Sequence, residues 1–295
     1  KLIKKYTANH SDVVKKIETA ERYYRKENDI KYAEKETEDA ENPLRTADNR
    51  IPSNFYKLLV NQKAAYAFTE KVTFDTGNDD LNSLITQTLG DSFRKKCKSL
   101  CVQAANASVG WLHYWKGDDG KFHYAVIDAK QVIPVWTRDL EKELYAVLRT
   151  YAMIDETDGE TDGDTYIIYE IWTADRCESF RRRSDLDFDA LDYFCQYLVI
   201  DIDTGTEEYQ PVYTHGFEEV PFIFFNNNDE GTNDLRDIKE LIDAYDKVFS
   251  GFLNDLEDIQ ELIFIITNYG GDADNALQIL QEMKTKKIIN VESEG

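Results

Sequence analysis

Four cysteines and four histidines are the residues of this chain best suited to metal binding or nucleophilic chemistry. Cys97 and Cys101 are one helical turn apart, as in half of a zinc site, but no nearby histidine or second close cysteine pair completes the site. His113 and His123 flank a predicted hairpin and are expected to face each other across it as a packing pair. We therefore predict reduced thiols, no bound metal and no cofactor.

The acidic loop 155–164, DETDGETDGD, is the best candidate for a cation site, because hard cations prefer clustered oxygen ligands. Aligned from Asp158, it begins like an EF-hand loop, but Tyr169 stands where that motif needs a bidentate glutamate. We interpret the loop as a strand connection solvated by its carboxylates. The basic run 181–183 is closely flanked by acids and is a weak signal for phosphate binding.

Motifs and charge exclude several function classes. The sequence has no glycine-rich nucleotide loop, no HExxH and no GxSxG, so we predict that the protein is not an enzyme. The formal net charge is −22, and the excess lies in residues 151–295, which carry 10 Lys and Arg against 35 Asp and Glu. Such a chain adheres poorly to nucleic acid or anionic lipid, and it has no apolar run long enough to span a bilayer.

Helical patterns open the chain. Apolar spacing predicts one helix over 11–29, a second over 53–70 and a third over 80–108 with a break at Gly90. The stretch between the first two helices is highly charged and is broken by Pro43, which is typical of an arm or linker. We therefore assign residues 1–50 to an N-terminal helix and charged arm.

Strand patterns separated by turn residues follow from Val109 to about Phe225. They predict an antiparallel, mostly meandering sheet. Because helices come first and strands afterwards, the order indicates an α+β fold in which helices pack on the sheet, over residues 51–232.

The most informative pattern is a heptad seam in a long helix predicted over 233–263. Steps of three and four alternate along it, as in a coiled coil. The seam consists of Leu235, Ile238, Ile242, Tyr245, Phe249, Phe252, Leu256, Ile259 and Ile263. Further apolar residues widen it into a face that one partner helix could not easily cover: Leu241, Val248, Leu253 and Leu262. Gly251 is a possible bend, and residues 264–295 are predicted to begin a small α/β unit.

Two blocks resemble a known protein family. They are NRIPSNFYKLLVNQKAAYAFTEKVTF, followed much later by VPFIFFNNNDEGTNDLRDIKELIDAYDKVFSGFLNDLEDIQELIFIITNYGG. In this order they resemble the portal, or head-to-tail connector, proteins of tailed double-stranded DNA bacteriophages, in the branch typical of long-tailed phages of Gram-positive hosts. The resemblance covers nearly the whole chain.

The resemblance implies a structural subunit of a dodecameric ring at one capsid vertex, through which double-stranded DNA is packaged and ejected. It implies that residues 51–232 form the wing, 233–263 one of two stem helices and 264–295 the start of the clip. Possible clip contacts are Phe264, Ile266, Asn268 and Tyr269. The second stem helix, the tunnel loop and the crown are expected to lie outside this sequence.

The same resemblance implies which partners to expect. They are other copies of the chain, the terminase large subunit, the tail or head-completion connector, capsid proteins, and DNA that passes with weak or no affinity. No membrane partner is expected, and the location is the virion, after assembly in the host cytoplasm. Two alternatives stay open: a coiled-coil-bearing scaffold or adaptor without a DNA role, and an acidic, calcium-dependent binding or hydrolytic domain based on loop 155–164.

Overall fold

The computed structural model describes residues 2–34, 47–117, 119–155, 164–200 and 205–260. The chain divides into two compact units. Unit 1 comprises residues 1–21 and 58–236, and unit 2 comprises residues 22–57 and 237–295. Helices and antiparallel strands coexist, which agrees with the predicted α+β class.

Six α-helices lie in the described part of the chain. They are α1 (Leu2–Thr7), α2 (His10–Tyr24), α3 (Phe55–Ala67), α4 (Asp79–Leu89), α5 (Phe93–Ala107) and α6 (Lys239–Gln260). The predicted break at Gly90 is confirmed: this residue has φ +68°, a left-handed value that glycine adopts without strain, and it separates α4 from α5. The helix α4 begins at the side chain of Asn78, whose oxygen accepts the N–H groups of Asp80 and Leu81.

Eleven strands follow within the described residues. They are β1 (Val109–Lys116), β2 (Phe122–Ile127), β3 (Val132–Trp136), β4 (Leu144–Asp155), β5 (Asp164–Trp172), β6 (Arg176–Arg183), β7 (Asp192–Tyr193), β8 (Tyr197–Ile200), β9 (Glu207–Gln210), β10 (Val212–Thr214) and β11 (Phe222–Asn226). All pairings are antiparallel.

The strands form three sheets, where the sequence predicted one meander. A three-stranded sheet has the order β11-β1-β2, and a larger one has the order β10-β6-β5-β4-β3 with β7 beside β6. The third sheet is the hairpin β8-β9. Strands β3 to β6 form a meander, in which each strand pairs with the next one along the chain. The last strand, β11, pairs with the first, β1, so the strand order of the smaller sheet does not follow the sequence.

Two segments differ from their predicted states. The strand β6 has the sequence RCESFRRR, whose charged residues hide the apolar alternation that reveals a strand. The stretch KVTFDT alternates polar and apolar residues as a strand does, but residues 71–76 form neither strand nor helix. An apolar alternation makes a strand only where a neighbouring strand supplies hydrogen bonds.

Unit 1 is built around buried aromatic and aliphatic side chains from its sheets, and the N-terminal helices join that core. Ile17 of α2 packs in the cluster that contains Trp111, and Ile3 of α1 packs in a second cluster with Tyr169. Residues 1–21 are therefore part of a folded unit. The two compact units meet along the chain between residues 21 and 22, 57 and 58, and 236 and 237.

Close packing of α5 on the three-stranded sheet depends on one glycine. A Cβ atom at Gly110 of β1 would lie 2.7 Å from the carbonyl oxygen of Leu100. This position therefore needs glycine because the backbones of helix and strand approach each other directly.

Candidate functional site

The residues first considered for metal chemistry do not converge. No group of three His, Cys, Asp or Glu side chains that could hold a metal ion occurs among the residues that the structure describes. Cys97 and Cys101 are half-buried free thiols on α5, and burial raises the pKa of each. The cysteine pair is therefore not poised as a nucleophile.

The two hairpin histidines do not face each other, which corrects the predicted pairing. In the β1–β2 register His113 lies opposite Ala125, and His123 lies opposite Trp115. The Trp115 ring stacks on both imidazoles, with centroid distances of 5.5 Å to His113 and 5.7 Å to His123. His113 Nδ1 lies 2.8 Å from the Pro221 carbonyl oxygen, which can only accept, so Nδ1 carries the proton.

Two arginines of the basic run on β6 pair with carboxylates, and the third binds a backbone carbonyl. Arg181 lies 3.7 Å from a carboxylate oxygen of Asp155, and Arg183 lies 2.6 Å from Asp185. The guanidinium of Arg182 donates to the carbonyl of Leu186. The run therefore links β6 to the end of β4 and to the turn that follows β6. Residues 156–163, the body of the candidate calcium loop, lie outside the described residues, and the loop connects β4 to β5.

The long helix α6 is the feature of unit 2 that the sequence analysis singled out. It begins at Lys239, six residues later than predicted, because residues 234–238 form turns. Of the predicted seam, Ile242, Tyr245, Phe249, Phe252 and Leu256 lie on α6. Leu235 and Ile238 precede the helix. The side chain of Ile259, the seam residue Ile263 and the predicted clip contacts Phe264, Ile266, Asn268 and Tyr269 lie outside the described residues.

Apolar side chains of α6 are exposed along one face of the helix. This apolar face of α6 consists of Leu241, Tyr245, Val248, Phe249, Phe252 and Leu256. Leu241 and Val248 are 71% and 72% exposed, and Phe252 is 62% exposed. Single exposed apolar residues are ordinary, but six on one stripe form a patch of the kind that marks an interaction surface.

Aromatic contacts extend this patch to the start of α3. The Phe55 ring meets the Tyr245 ring edge to face, with 4.9 Å between centroids. Tyr245 and Phe249 lie nearly parallel, 5.8 Å apart. All three rings are more than a third exposed, so the aromatic patch is partly ordered before any partner binds.

Apart from Ile242, a seam residue that is 4% exposed, the buried side chains of α6 among the described residues are polar. Asp246 is fully buried, Ser250 and Asp258 are almost fully buried, and Asn254 lies between them at the same four-residue spacing. These four residues form the polar stripe of α6. The usual arrangement of a surface helix, with apolar residues inside and polar residues outside, is inverted here.

The polar stripe binds an extended segment of the chain, residues 47–53, which we call the strap. Its N–H groups at every second residue donate to the helix. Ser53 donates to Asp246 at 2.8 Å, Ile51 to Ser250 at 3.0 Å, Asn49 to Asn254 at 2.6 Å and Ala47 to Asp258 at 3.2 Å. The strap therefore runs antiparallel to α6, with one hydrogen bond per helical turn.

This ladder is possible because two spacings nearly match. Four helical residues rise about 6.0 Å, and two extended residues rise about 6.6 Å. The difference is small enough for flexible side chains to absorb over the three steps between the four hydrogen bonds. The strap thus satisfies buried side chains of α6 without forming a sheet.

Buried Asn28 closes the ladder at one end. Its side-chain amide nitrogen donates to Asp246 at 2.6 Å and to the Ser53 carbonyl at 3.1 Å. Its own carbonyl oxygen has no hydrogen-bond partner among the described residues, which is costly for a side chain that is 1% exposed. Asn28 therefore joins the end of α2, the strap and α6 at one point.

An ionic cluster holds the first turn of α6. Lys239 Nζ lies 2.6 Å from Asp29 and 2.7 Å from Asp243, and the Tyr23 hydroxyl donates to Asp243. Partial burial alone would raise the pKa of Asp29, but hydrogen bonds from Lys239 and Arg22 outweigh it and lower that pKa to about 2. Burial and the bond to Asp243 both raise the pKa of Tyr23.

Unit 2 thus fixes α6 by hydrogen bonds and ion pairs on one side and leaves the opposite, apolar side for another surface. Sequence reasoning found the apolar seam but missed the polar stripe. The sequence signal for the polar stripe is the four-residue spacing of Asp246, Ser250, Asn254 and Asp258. This spacing is noticed only when the periodicity of polar residues is examined separately from that of apolar residues. None of the helices in the described part of the chain is long and apolar enough to cross a membrane.

Comparison with known proteins identifies the family. Residues 3–295 match the family described as phage portal protein, SPP1 Gp6-like. A portal protein of Clostridium phage phiCD119 is 36% identical over 287 residues, which cover 94% of this chain and 59% of that protein. The portal protein of Bacillus phage SPP1 is 26% identical over 288 residues, covering 93% of this chain and 53% of that protein. The chain therefore spans little more than half the length of these relatives. Since the match takes in almost every residue of the chain, it belongs to the SPP1 Gp6-like family of phage portal proteins.

Proposed function

We propose that this chain is a subunit of the portal ring at one vertex of a phage capsid, through which double-stranded DNA is packaged and ejected. Family membership supports the portal role. The observation that supports assembly into a ring is the inverted arrangement of α6. A helix that is held to its own chain by its polar face leaves its apolar face available to another chain. Burying that face in a ring would remove the exposed side chains from water. This stabilises the ring by about 25 cal/mol for each Å² of apolar surface buried.

In this proposal α6 is part of the first stem helix, the α+β unit 1 lies in the wing, and residues 264–295 begin the clip. The terminase large subunit, the tail or head-completion connector and capsid proteins bind the assembled ring. The protein resides in the virion after assembly in the host cytoplasm. Its role is structural, and it carries out no catalysis of its own.

DNA passes through the ring by confinement, without affinity for it. A surface that grips duplex DNA needs clustered Lys and Arg, whereas α6 carries six Asp and Glu against two Lys. Carboxylates repel phosphates, so a wall that carries them lets the polymer slide.

The test is the particle formed by the complete gene product, measured by electron microscopy and mass photometry. A closed, twelvefold ring is expected. A stable dimer would instead support the coiled-coil scaffold or adaptor, and melting that depends on calcium would support the calcium-binding alternative. Labelled duplex titrated into the ring at low salt, about 50 mM, should give no saturable binding.

A further inference from the structure

Two side-chain oxygens are buried without a hydrogen-bond partner, among the described residues, where the end of α2, the strap and α6 meet. They are Asn28 Oδ1 and Ser53 Oγ. The N–H groups next to both oxygens are bound. Asn28 Nδ2 donates to Asp246 and to the Ser53 carbonyl, and the Ser53 N–H donates to Asp246. Buried oxygens are normally hydrogen-bonded or coordinated, so two of them beside one carboxylate point to a ligand.

The amide of Asn28 is fixed in its orientation, with Oδ1 left over. Both groups that receive its Nδ2 protons, the Asp246 carboxylate and the Ser53 carbonyl, are acceptors, so turning the amide would place oxygen against oxygen. Covalent geometry puts Oδ1 about 2.3 Å from Nδ2 and therefore within about 5 Å of the Asp246 carboxylate. Ser53 Oγ is three bonds from the nitrogen that donates to the same carboxylate.

The carboxylate of Asp246 has no positive partner among the described residues. Its residue is 0% exposed, and it accepts hydrogen bonds only from two neutral groups, the Asn28 amide and the Ser53 N–H. The ammonium of Lys239, on the same helix, is shared by Asp29 and Asp243. Buried charges in proteins are ordinarily paired with an opposite charge or coordinate a metal ion, so this carboxylate lacks a cation.

We propose that a monovalent cation of the size of Na⁺ binds at this junction, held by Asn28 Oδ1, Ser53 Oγ and the carboxylate of Asp246. These three groups are the cation site. All are oxygen ligands, which hard cations prefer, and a single carboxylate balances a single positive charge, whereas Ca²⁺ takes six to eight oxygens. A buried water molecule could satisfy the two oxygens but would leave the charge uncompensated. A cation does both.

The cation site lies within one chain and within unit 2, so it exists whether or not the chain assembles into a portal ring. Its ligands come from the segment after α2, from the strap and from α6. A bound cation would therefore stabilise the attachment of the strap to α6 and make that attachment depend on the ionic composition of the medium.

Thermal melting of the complete gene product in NaCl and in choline chloride tests the site. Both salts are used at the same ionic strength, about 0.15 M, so that screening is equal, and choline is too large to enter a buried site. An ion that binds only the folded state stabilises it by mass action. We expect the melting temperature to be about 2–4 °C higher in NaCl.

Two variants assign the effect to the site. Ser53→Ala removes an oxygen that makes no hydrogen bond among the described residues, so in choline chloride it should melt within about 1 °C of the parent protein. It should nevertheless lose at least half of the shift in NaCl. Asp246→Asn keeps the side-chain shape but removes the charge, and it should lose the whole shift. The control is Glu240→Gln, an exposed position on α6, which should keep the shift.

Three results would overturn the proposal. Equal melting temperatures in the two salts would mean that no cation binds and that the oxygens are satisfied by buried water. A shift of the same size in Ser53→Ala and in Glu240→Gln would mean a general salt effect. Stabilisation by millimolar CaCl₂ that exceeds that of NaCl and disappears in Ser53→Ala would mean that the site selects a divalent ion. Should Asp246→Asn fail to fold, Ser53→Ala decides the question alone.

Discussion

Asn28 and Asp246 are 218 residues apart in sequence and are joined by a 2.6 Å hydrogen bond between two side chains that are 1% and 0% exposed. Asp246 also accepts the N–H of Ser53 at 2.8 Å. One carboxylate thus holds two separate parts of the chain against α6. Removing it leaves buried donors with no acceptor, which costs more than the hydrogen bonds contribute in net terms.

We predict that Asp246→Ala lowers the free energy of unfolding by about 3–4 kcal/mol, because the Ser53 N–H loses its acceptor and the Asn28 amide keeps only the Ser53 carbonyl of its two acceptors. Urea denaturation followed by circular dichroism measures the change. Glu240→Ala is the control, since Glu240 is an exposed acid on the same helix and its loss should cost less than about 0.5 kcal/mol. Equal costs for the two variants would contradict the role of the polar stripe.

The apolar face of α6 should matter for assembly and hardly for folding. Phe252→Asp replaces a side chain that is 62% exposed, so the unfolding free energy of the subunit should change by less than about 0.5–1 kcal/mol. Mass photometry of the complete gene product should nevertheless show loss of the ring, because a charge would be buried at the contact. Leu140→Asp is the control, and it should assemble normally. Rings of unchanged stability with Phe252→Asp would exclude this face from the assembly.

Substitution by alanine should change stability in opposite directions at two glycines. An added Cβ at Gly251, in the middle of α6, meets nothing within 4 Å, so Gly251→Ala should stabilise the helix by about 0.5–1 kcal/mol. An added Cβ at Gly110 would lie 2.7 Å from the Leu100 carbonyl oxygen, so Gly110→Ala should destabilise unit 1. Thermal melting of the two variants checks both signs. A stabilised Gly110→Ala variant would show that α5 can move away from the sheet at little cost.

His113 should make unit 1 sensitive to mild acid. Burial lowers its pKa to about 4, against the opposing effect of its hydrogen bond to Pro221, whereas the unfolded chain takes up the proton at about 6.5. The depressed pKa means that this contribution to stability is complete above pH 6.5 and is lost as the pH falls towards 4. The loss amounts to about 3 kcal/mol over that interval.

The measurement is the unfolding free energy at pH 7 and at pH 4.5, with His113→Asn as the comparison. The amide of asparagine can still donate to Pro221 but does not titrate, so the variant should lose less stability between the two pH values. Carboxylates elsewhere titrate equally in both proteins, and the difference between them isolates the histidine. A His113 ring signal that titrates near 6.5 in nuclear magnetic resonance would contradict the prediction.

Local patterns predicted much of this fold because their causes are local. Helical spacing located α3 and the pair α4–α5, and the positive φ at Gly90 follows from a residue type that tolerates it. Strand β6 was missed because its arginines conceal the apolar alternation, and their neutralising partners are known only once β4, β5 and the following turn are in place.

In the candidate site, too, the local pattern was predictable from the sequence and the long-range contact was not. The apolar face of α6 was visible as a heptad seam, which is a property of one helix. The polar stripe acquires meaning only through the strap, about 200 residues earlier in the chain, and through Asn28. No local propensity encodes such a contact, because it depends on the spacing match between an extended segment and a helix brought together by the fold.

The helix α6 binds the strap through backbone N–H groups of the strap and largely independently of the strap's side chains. The four N–H groups that α6 binds belong to residues 47, 49, 51 and 53, which are every second residue of the strap. Proline has no N–H, and the proline of the strap, Pro52, occupies one of the intervening positions. Side chains constrain some strap positions in their own way, since Asn49 binds Glu257, Arg50 binds Asp48 and the Ala33 carbonyl, and Pro52 is buried. The hydrogen bonds to α6 themselves require only that proline stays out of positions 47, 49, 51 and 53. In other sequences a strap of this kind is therefore recognised by the absence of proline at the alternate positions that donate to the helix. Sequence identity within the strap is a poor guide to its presence.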